Sequence, residues 1–95
     1  MSETLPPKMG SEDIISRPVD IEVDAAGLSC PMPLLKARQG LNKLQSGQIL
    51  RLLATDTGSV RDVKSFAELS GNQILSFAEA QRETAPLYVY ILQKA

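Results

Sequence analysis

The residues best suited to chemistry in this chain are few, and Cys30 leads them. It is the single cysteine of the sequence, and there is no histidine. Pro31 follows it directly and Pro33 comes two residues later, with Met32 between them. A proline at the first position of a helix is well tolerated, because the N–H it lacks would have no intrahelical partner there. The spacing therefore predicts that Cys30 sits at a helix start, facing unpaired backbone N–H groups and the positive end of the helix dipole. Such a position is expected to lower a thiol's pKa and make the sulfur a better nucleophile. The competing use of a lone cysteine is as a small buried hydrophobe, and the flanking prolines weigh against it.

What the sulfur can do is narrowed by what is missing. A cysteine protease or acyl transferase normally needs a histidine-like base to take and return protons. A dithiol oxidoreductase needs a second thiol. One Cys and no His also make a zinc or iron–sulfur centre a poor fit, and no cofactor is expected. Three acids at period two, Asp20, Glu22 and Asp24, read as a solvated strand face rather than a metal site. Three uses of the thiol remain: a covalent carrier that works with partner proteins, a one-cysteine redox sensor, or a structural thiol.

At 95 residues the chain is expected to form one domain. About 43% of it is hydrophobic and 22% charged, with a net charge of −1, an ordinary profile for a globular protein. With no Trp, two Tyr and two Phe, the core must be largely aliphatic. The balanced charge and scarce aromatics offer no footprint for nucleic acid. No apolar run is long enough to span a bilayer. The first residues carry Glu3 and two prolines without an apolar core, so no secretory signal is expected. A lone cysteine fits a reducing compartment, and the expected location is the cytoplasm.

The elements that must hold Cys30 follow from periodicity. Residues 1 to 18 show no sustained pattern and are expected to form a mobile tail, with Ile14 and Ile15 its candidates for contact with the domain, which spans 19–95. Val19 to Asp24 alternates strictly and predicts a half-buried strand whose outer face is acidic and meets water. Gly27 supplies the tight backbone before Cys30. From Pro31 to about Ser46, Leu34, Ala37, Leu41 and Leu44 recur at helical spacing, with Leu35 beside them, and predict a buried stripe. Gly40 interrupts that helix in a way that would allow close packing, and Gly47 ends it. Gln48 to Thr55 is mostly apolar and predicts a more central strand. Ser59 is expected to cap a second helix, with Asp62 completing a capping-box-like pattern. Val60, Val63, Phe66, Ala67 and Leu69 or Ser70 would form its inner face, and Gly71 would end it. Gln73–Gln81 and Leu87–Gln93 read as strands joined through Arg82–Pro86.

The order is β-α-β-α-β-β, which predicts a two-layer α/β (α+β) sandwich: a mixed four-stranded sheet with two helices on one face. If the first two strands are parallel, the loops leaving them emerge at one sheet edge. That brings Asp56, Thr57, Ser59 and Arg61 toward Cys30. Arg61 either approaches and stabilises a thiolate, or pairs with Asp56 or Asp62.

With these residues in place, Asp24-Ala25-Ala26-Gly27-Leu28-Ser29-Cys30-Pro31-Met32-Pro33 resembles the D-x-x-G-L-x-C-P-x-P signature of the TusA/SirA-like sulfur-carrier family. The resemblance runs on through Gly47, Asp56, Arg61-Asp62 and Phe66, and covers roughly residues 19 to 94. It implies that Cys30 carries sulfane sulfur as a persulfide, framed by Pro31 and Pro33. It also implies loading by a cysteine desulfurase or other sulfurtransferase and delivery to an acceptor protein. Family roles include transfer RNA thiolation, molybdenum-cofactor maturation and sulfur oxidation. On this reading the chain is a carrier that acts with partner enzymes rather than a self-sufficient catalyst, and it is expected to be a monomer. Met32, apolar and not an acid, is a candidate partner surface. The tail and Gly40 also depart from the minimal family form. The alternative function is a regulatory or interaction module whose cysteine is redox-sensing or structural.

Overall fold

The computed structural model describes residues 17–81 and 85–95. Four strands, β1 (Ile21–Ala25), β2 (Ile49–Ala54), β3 (Gln73–Ala80) and β4 (Leu87–Gln93), alternate with two helices, α1 (Met32–Asn42) and α2 (Gly58–Ser70), in the order β-α-β-α-β-β. The strands lie in one mixed sheet, spatial order β1-β2-β4-β3. β1 and β2 run parallel, with Ile21 opposite Leu50 and Ala25 opposite Ala54. β4 is antiparallel to both of its neighbours. The expected α/β sandwich is therefore the observed one.

Alternation in β4 divides the sheet into two faces. Tyr88, Tyr90 and Leu92 join Leu50, Leu52 and Ala54 of β2 under the helices, where Ala37, Leu41 and Val63 complete the main core. α1 approaches this core unusually closely at Gly40. A methyl group there would stand 2.6 Å from Leu50 Cδ1 and 3.0 Å from Val23 Cγ2, so glycine is what lets helix and sheet meet.

The opposite face corrects one expectation. It is not simply a water-facing surface: Leu87, Val89 and Ile91 are buried on it, with Val19, Ile49, Leu53, Ala78 and Ala80 packed around them. Only its β1 end is acidic, and those acids have structural partners. Asp20 accepts from the Ile49 N–H at 2.8 Å, Glu22 pairs with Arg51 at 3.2 Å, and Asp24 accepts from the Ala26 N–H at 3.0 Å. Residues 1–16, including Ile14 and Ile15, and Arg82 to Thr84 lie outside the described residues. The end of the expected tail is tied to the sheet, because the Arg17 carbonyl accepts from Arg51 Nη1.

Both helices differ in detail from expectation. α1 begins at Met32 and ends at Asn42, with the chain tightening into short turns through Leu44. The expected stripe holds, with Ala37, Leu41 and Leu44 in the core and Leu34 packed against it; Pro33 and Gly40 are buried as well, and Leu35 is exposed. α2 ends as expected at Gly71, whose positive φ places it in the left-handed region and whose N–H reaches the Ala67 carbonyl. Its start has no side-chain cap. Ser59 and Asp62 do not form a capping box, because each bonds to a distant element. Leu69 faces solvent.

Candidate functional site

Because β1 and β2 are parallel, their C-terminal ends lie at one edge of the sheet, and the two loops leaving that edge meet. Gly27 turns the first loop at φ +84, and its N–H donates to Thr55 Oγ1 at the end of β2 across 2.8 Å. Few other residues tolerate that backbone conformation. The Leu28 N–H closes a turn onto the Ala25 carbonyl at 3.2 Å. The next turn holds the cysteine: the Met32 N–H donates to the Ser29 carbonyl at 2.9 Å, and the Cys30–Pro31 peptide inside it is cis. Pro31 is the N-cap of α1 rather than its first residue, and its carbonyl accepts the Leu35 N–H. Pro33 is buried beneath it. The two prolines thus frame Cys30 from different layers, one at the surface and one in the core.

The second loop supplies the charge. Gly58, the first residue of α2, packs against the cysteine: a Cβ added to it would lie 3.6 Å from Cys30 Cβ, 3.9 Å from Cys30 Sγ and 2.9 Å from Asp56 Oδ2. A side chain at this position would touch Cys30 at ordinary contact distance but crowd the Asp56 carboxylate, so glycine leaves room for that acid beside the cysteine. One turn further along α2, Asp62 reaches across, and Cys30 Sγ donates a hydrogen bond to its Oδ2. The thiol is otherwise exposed.

This arrangement reverses the expected direction of the thiol's pKa shift. The Cys30 thiol is pushed above its ordinary pKa, first by the hydrogen bond to Asp62. Partial desolvation and the negative charges of Asp62 and Asp56 add to the shift, and the Arg61 guanidinium opposes it. A hydrogen bond to the protonated form disfavours ionisation, as do neighbouring carboxylates. The dipole of the following helix favours a thiolate, but Asp62 of α2 and Asp56 of the loop before it outweigh that effect.

Gly27, Pro31, Pro33, Asp56 and Arg61 thus all lie at or beside the Cys30 edge. Among the described residues Arg61 forms no ion pair with Asp56 or Asp62. It lines a shallow open hollow with Thr57, Gly58, Val60 and Lys64, next to the thiol. Met32 is 41% exposed and Leu35 40%, a pair one turn apart on the first two turns of α1. Sequence reasoning missed Gly58, Leu35 and the contact made by Asp62. The adjacent Arg61-Asp62 pair on a helix starting at the same sheet edge was the available signal for the last of these.

Ser59, also at the start of α2, turns inward. Its hydroxyl and that of Tyr90 share a buried hydrogen bond of 2.7 Å. Burial pushes the Tyr90 phenol up, and the bond to Ser59 offsets part of that shift. Phe77 of β3 packs beside it, with ring centroids 5.2 Å from Tyr90 and 6.3 Å from Tyr88.

The chain is similar to known proteins in sequence and fold. Residues 21–94 match the family model described as Sulfurtransferase TusA. The sulfur carrier protein TusA of Allochromatium vinosum is 48% identical over 60 residues, covering 63% of this chain and 79% of the relative. The sulfur carrier protein TusA of Pseudomonas paraeruginosa is 32% identical over 80 residues, covering 84% of this chain and 96% of that protein. The crystal structure of a SirA-like protein from Desulfitobacterium hafniense is similar with a TM-score of 0.59 and 26% identity, covering 76% of this chain and 95% of that one.

Proposed function

The chain belongs to the Sulfurtransferase TusA family, and on that premise we propose that it carries sulfane sulfur as a persulfide on Cys30. A donor such as a cysteine desulfurase or another sulfurtransferase loads the sulfur, and the carrier passes it to a thiol of an acceptor protein. Membership and the named sulfur-carrier relatives support a sulfur-carrier role. The observation that carries the persulfide reading is the placement of Cys30. It is an exposed thiol at the sheet edge, followed by two framing prolines and faced by the charged start of α2, with neither a second cysteine nor a histidine in the chain. A site of this kind can hold a transferable atom and present it, but depends on partners to finish the chemistry.

The exposed Met32 and Leu35 beside the thiol offer a small apolar surface on which donor and acceptor can dock in turn. Transfer RNA thiolation, molybdenum-cofactor maturation and sulfur oxidation are the acceptor routes this chemistry serves. Trapping mixed-disulfide partners through Cys30 distinguishes among them. The redox-sensor alternative fits less well, because sensor cysteines are normally low-pKa thiolates, whereas Cys30 is held as a thiol.

Incubation with a cysteine desulfurase and free cysteine should add the mass of one sulfur atom to the wild-type chain and nothing to Cys30→Ala. Equal gain by both proteins refutes the reading. Cys30→Ser keeps the shape of the site and should lose delivery completely, while a docking module would retain function with this change.

A further inference from the structure

We infer that Asp62 makes this carrier a ready sulfur donor: its carboxylate keeps the empty Cys30 a hydrogen-bonded thiol and disfavours the anionic persulfide once sulfur has arrived. The inference rests on the persulfide reading above and adds a residue that controls it. Asp62 is the side chain that Cys30 Sγ bonds among the described residues, and it comes from a different element, 32 positions along the chain. Gly58 lets Cys30 and Asp56 crowd together at the same spot, so a second carboxylate adds to the first. The opposing charge is Arg61, which is exposed and bonded to neither acid.

Loading exchanges one S–S bond for another. The Cys30 sulfur attacks the terminal sulfur of the donor persulfide, and the donor's own S–S bond breaks. The donor sulfur leaves as a thiolate and takes up the proton that Cys30 loses, so the products are a donor thiol and Cys30–S–SH. Nothing is oxidised or reduced overall. The hydrogen bond to Asp62 Oδ2 holds that proton on the sulfur and must be given up before the attack.

Once loaded, the balance changes sign. The terminal S–H of a persulfide is more acidic than a thiol and ionises near neutral pH. The anion then faces Asp62 and Asp56, and like charges at short range raise its free energy. Delivery to an acceptor thiol relieves that repulsion and restores the thiol, which again donates to Asp62. The same carboxylate therefore slows the first attack and favours the release.

Asp62→Asn removes the charge and keeps the shape, whereas Asp62→Glu keeps the charge. Two measurements on the full chain decide the matter: the pH profile of Cys30 alkylation by iodoacetamide, and the loaded fraction by intact mass in a fixed mixture of glutathione persulfide and glutathione. For Asp62→Asn the alkylation midpoint should move down and the rate at neutral pH should rise several-fold. That rise should survive the weaker nucleophilicity of a lower-pKa thiolate, which follows a Brønsted slope of about 0.4–0.5. The loaded fraction should also rise, and Asp62→Glu should stay close to wild type in both. An unchanged midpoint for Asp62→Asn overturns the inference, and so does a lowered midpoint with an unchanged loaded fraction. If the wild type itself gains no sulfur while the midpoints still differ, the carrier reading falls and the Asp62–Cys30 contact stands.

Discussion

Ser59 and Asp62 lie three residues apart at the start of α2, and they tie that helix to the rest of the molecule in opposite ways. Ser59 points into the core, where its hydroxyl and the Tyr90 phenol satisfy each other out of reach of water. Asp62 points along the sheet edge and accepts from a thiol that water and partners can reach. The two contacts share a helix and a purpose in local geometry, yet differ in surroundings. A buried polar pair is costly to break on one side, because the orphaned group has no solvent to turn to. An exposed pair is cheap to break in stability, because water replaces the lost partner. Stability should therefore reside in the Ser59 contact and chemistry in the Asp62 contact.

The sharpest test of that division is the buried side. Ser59→Ala or Tyr90→Phe each leaves one hydroxyl without its partner, and each should cost about 1–3 kcal/mol. For a domain of this size about 1 kcal/mol lowers Tm by roughly 4–8 °C. The double variant replaces both groups by apolar ones and should recover much of the loss, a coupling visible in a double-mutant thermal cycle. Sulfur loading of the folded protein should be unchanged throughout. A loading defect in Ser59→Ala at a temperature where it is folded would break the comparison. The same pair predicts a pH dependence. The Tyr90 phenol is raised in the fold, so its contribution to stability is complete below the ordinary tyrosine pKa and disappears as pH rises through the higher folded value. Tyr90→Phe should flatten the alkaline arm of the stability profile measured by urea midpoint.

A second, smaller effect extends the buried half of the comparison to α1. Gly40→Ala gains helix propensity of about 1 kcal/mol at a free helical position. Here the new methyl would fall 2.6 Å from Leu50 Cδ1 and 3.0 Å from Val23 Cγ2. Overpacking of that kind costs about 1–3 kcal/mol, so the variant should lose about 1 kcal/mol net by urea denaturation. A stabilised Gly40→Ala would mean that the helix–sheet seam has slack.

How much of this was legible in the sequence depends on where the deciding partner lies. Strand alternation around Ile21–Asp24 and the glycine at the end of α2 are set by nearby residues and were readable. A glycine inside a helical stripe signalled close packing at Gly40, although Leu50 and Val23, which it meets, lie on other elements. Cys30 itself was readable from its prolines. Ser59 and Asp62 were misread as a local capping box because each has a partner about 30 positions away that competes better than the helix end does. The thiol's direction of shift failed for the same reason: the helix after Cys30 was visible, and the parallel pairing of β1 and β2 put Asp56 nearby, but the hydrogen bond to Asp62, the largest cause of the shift, was not legible. The stripe of Leu34, Ala37, Leu41 and Leu44 was readable from helical spacing, and each lies in or against the core. Leu35, counted beside it, is exposed because it falls about 100° around the helix from Leu34.

The exposed half of the comparison extends to α1 through Met32 and Leu35, and its effect on stability should be the smallest of all. Both side chains are about two-fifths exposed, so Met32→Ser and Leu35→Ser should each change stability by about 0.5 kcal/mol or less. Their value lies in what docks there. An apolar pair beside an otherwise charged site gives partner binding a desolvation term that charges alone do not supply. Loading by a desulfurase should therefore slow at low donor concentration and recover at saturation, with the alkylation profile of Cys30 unchanged. That pattern separates the surface from Asp62, which should move the alkylation profile. If Leu35→Ser instead lowers the saturated rate, Leu35 belongs with the groups that act on the sulfur. The line between stability, chemistry and docking along these two helix starts would then have to be redrawn.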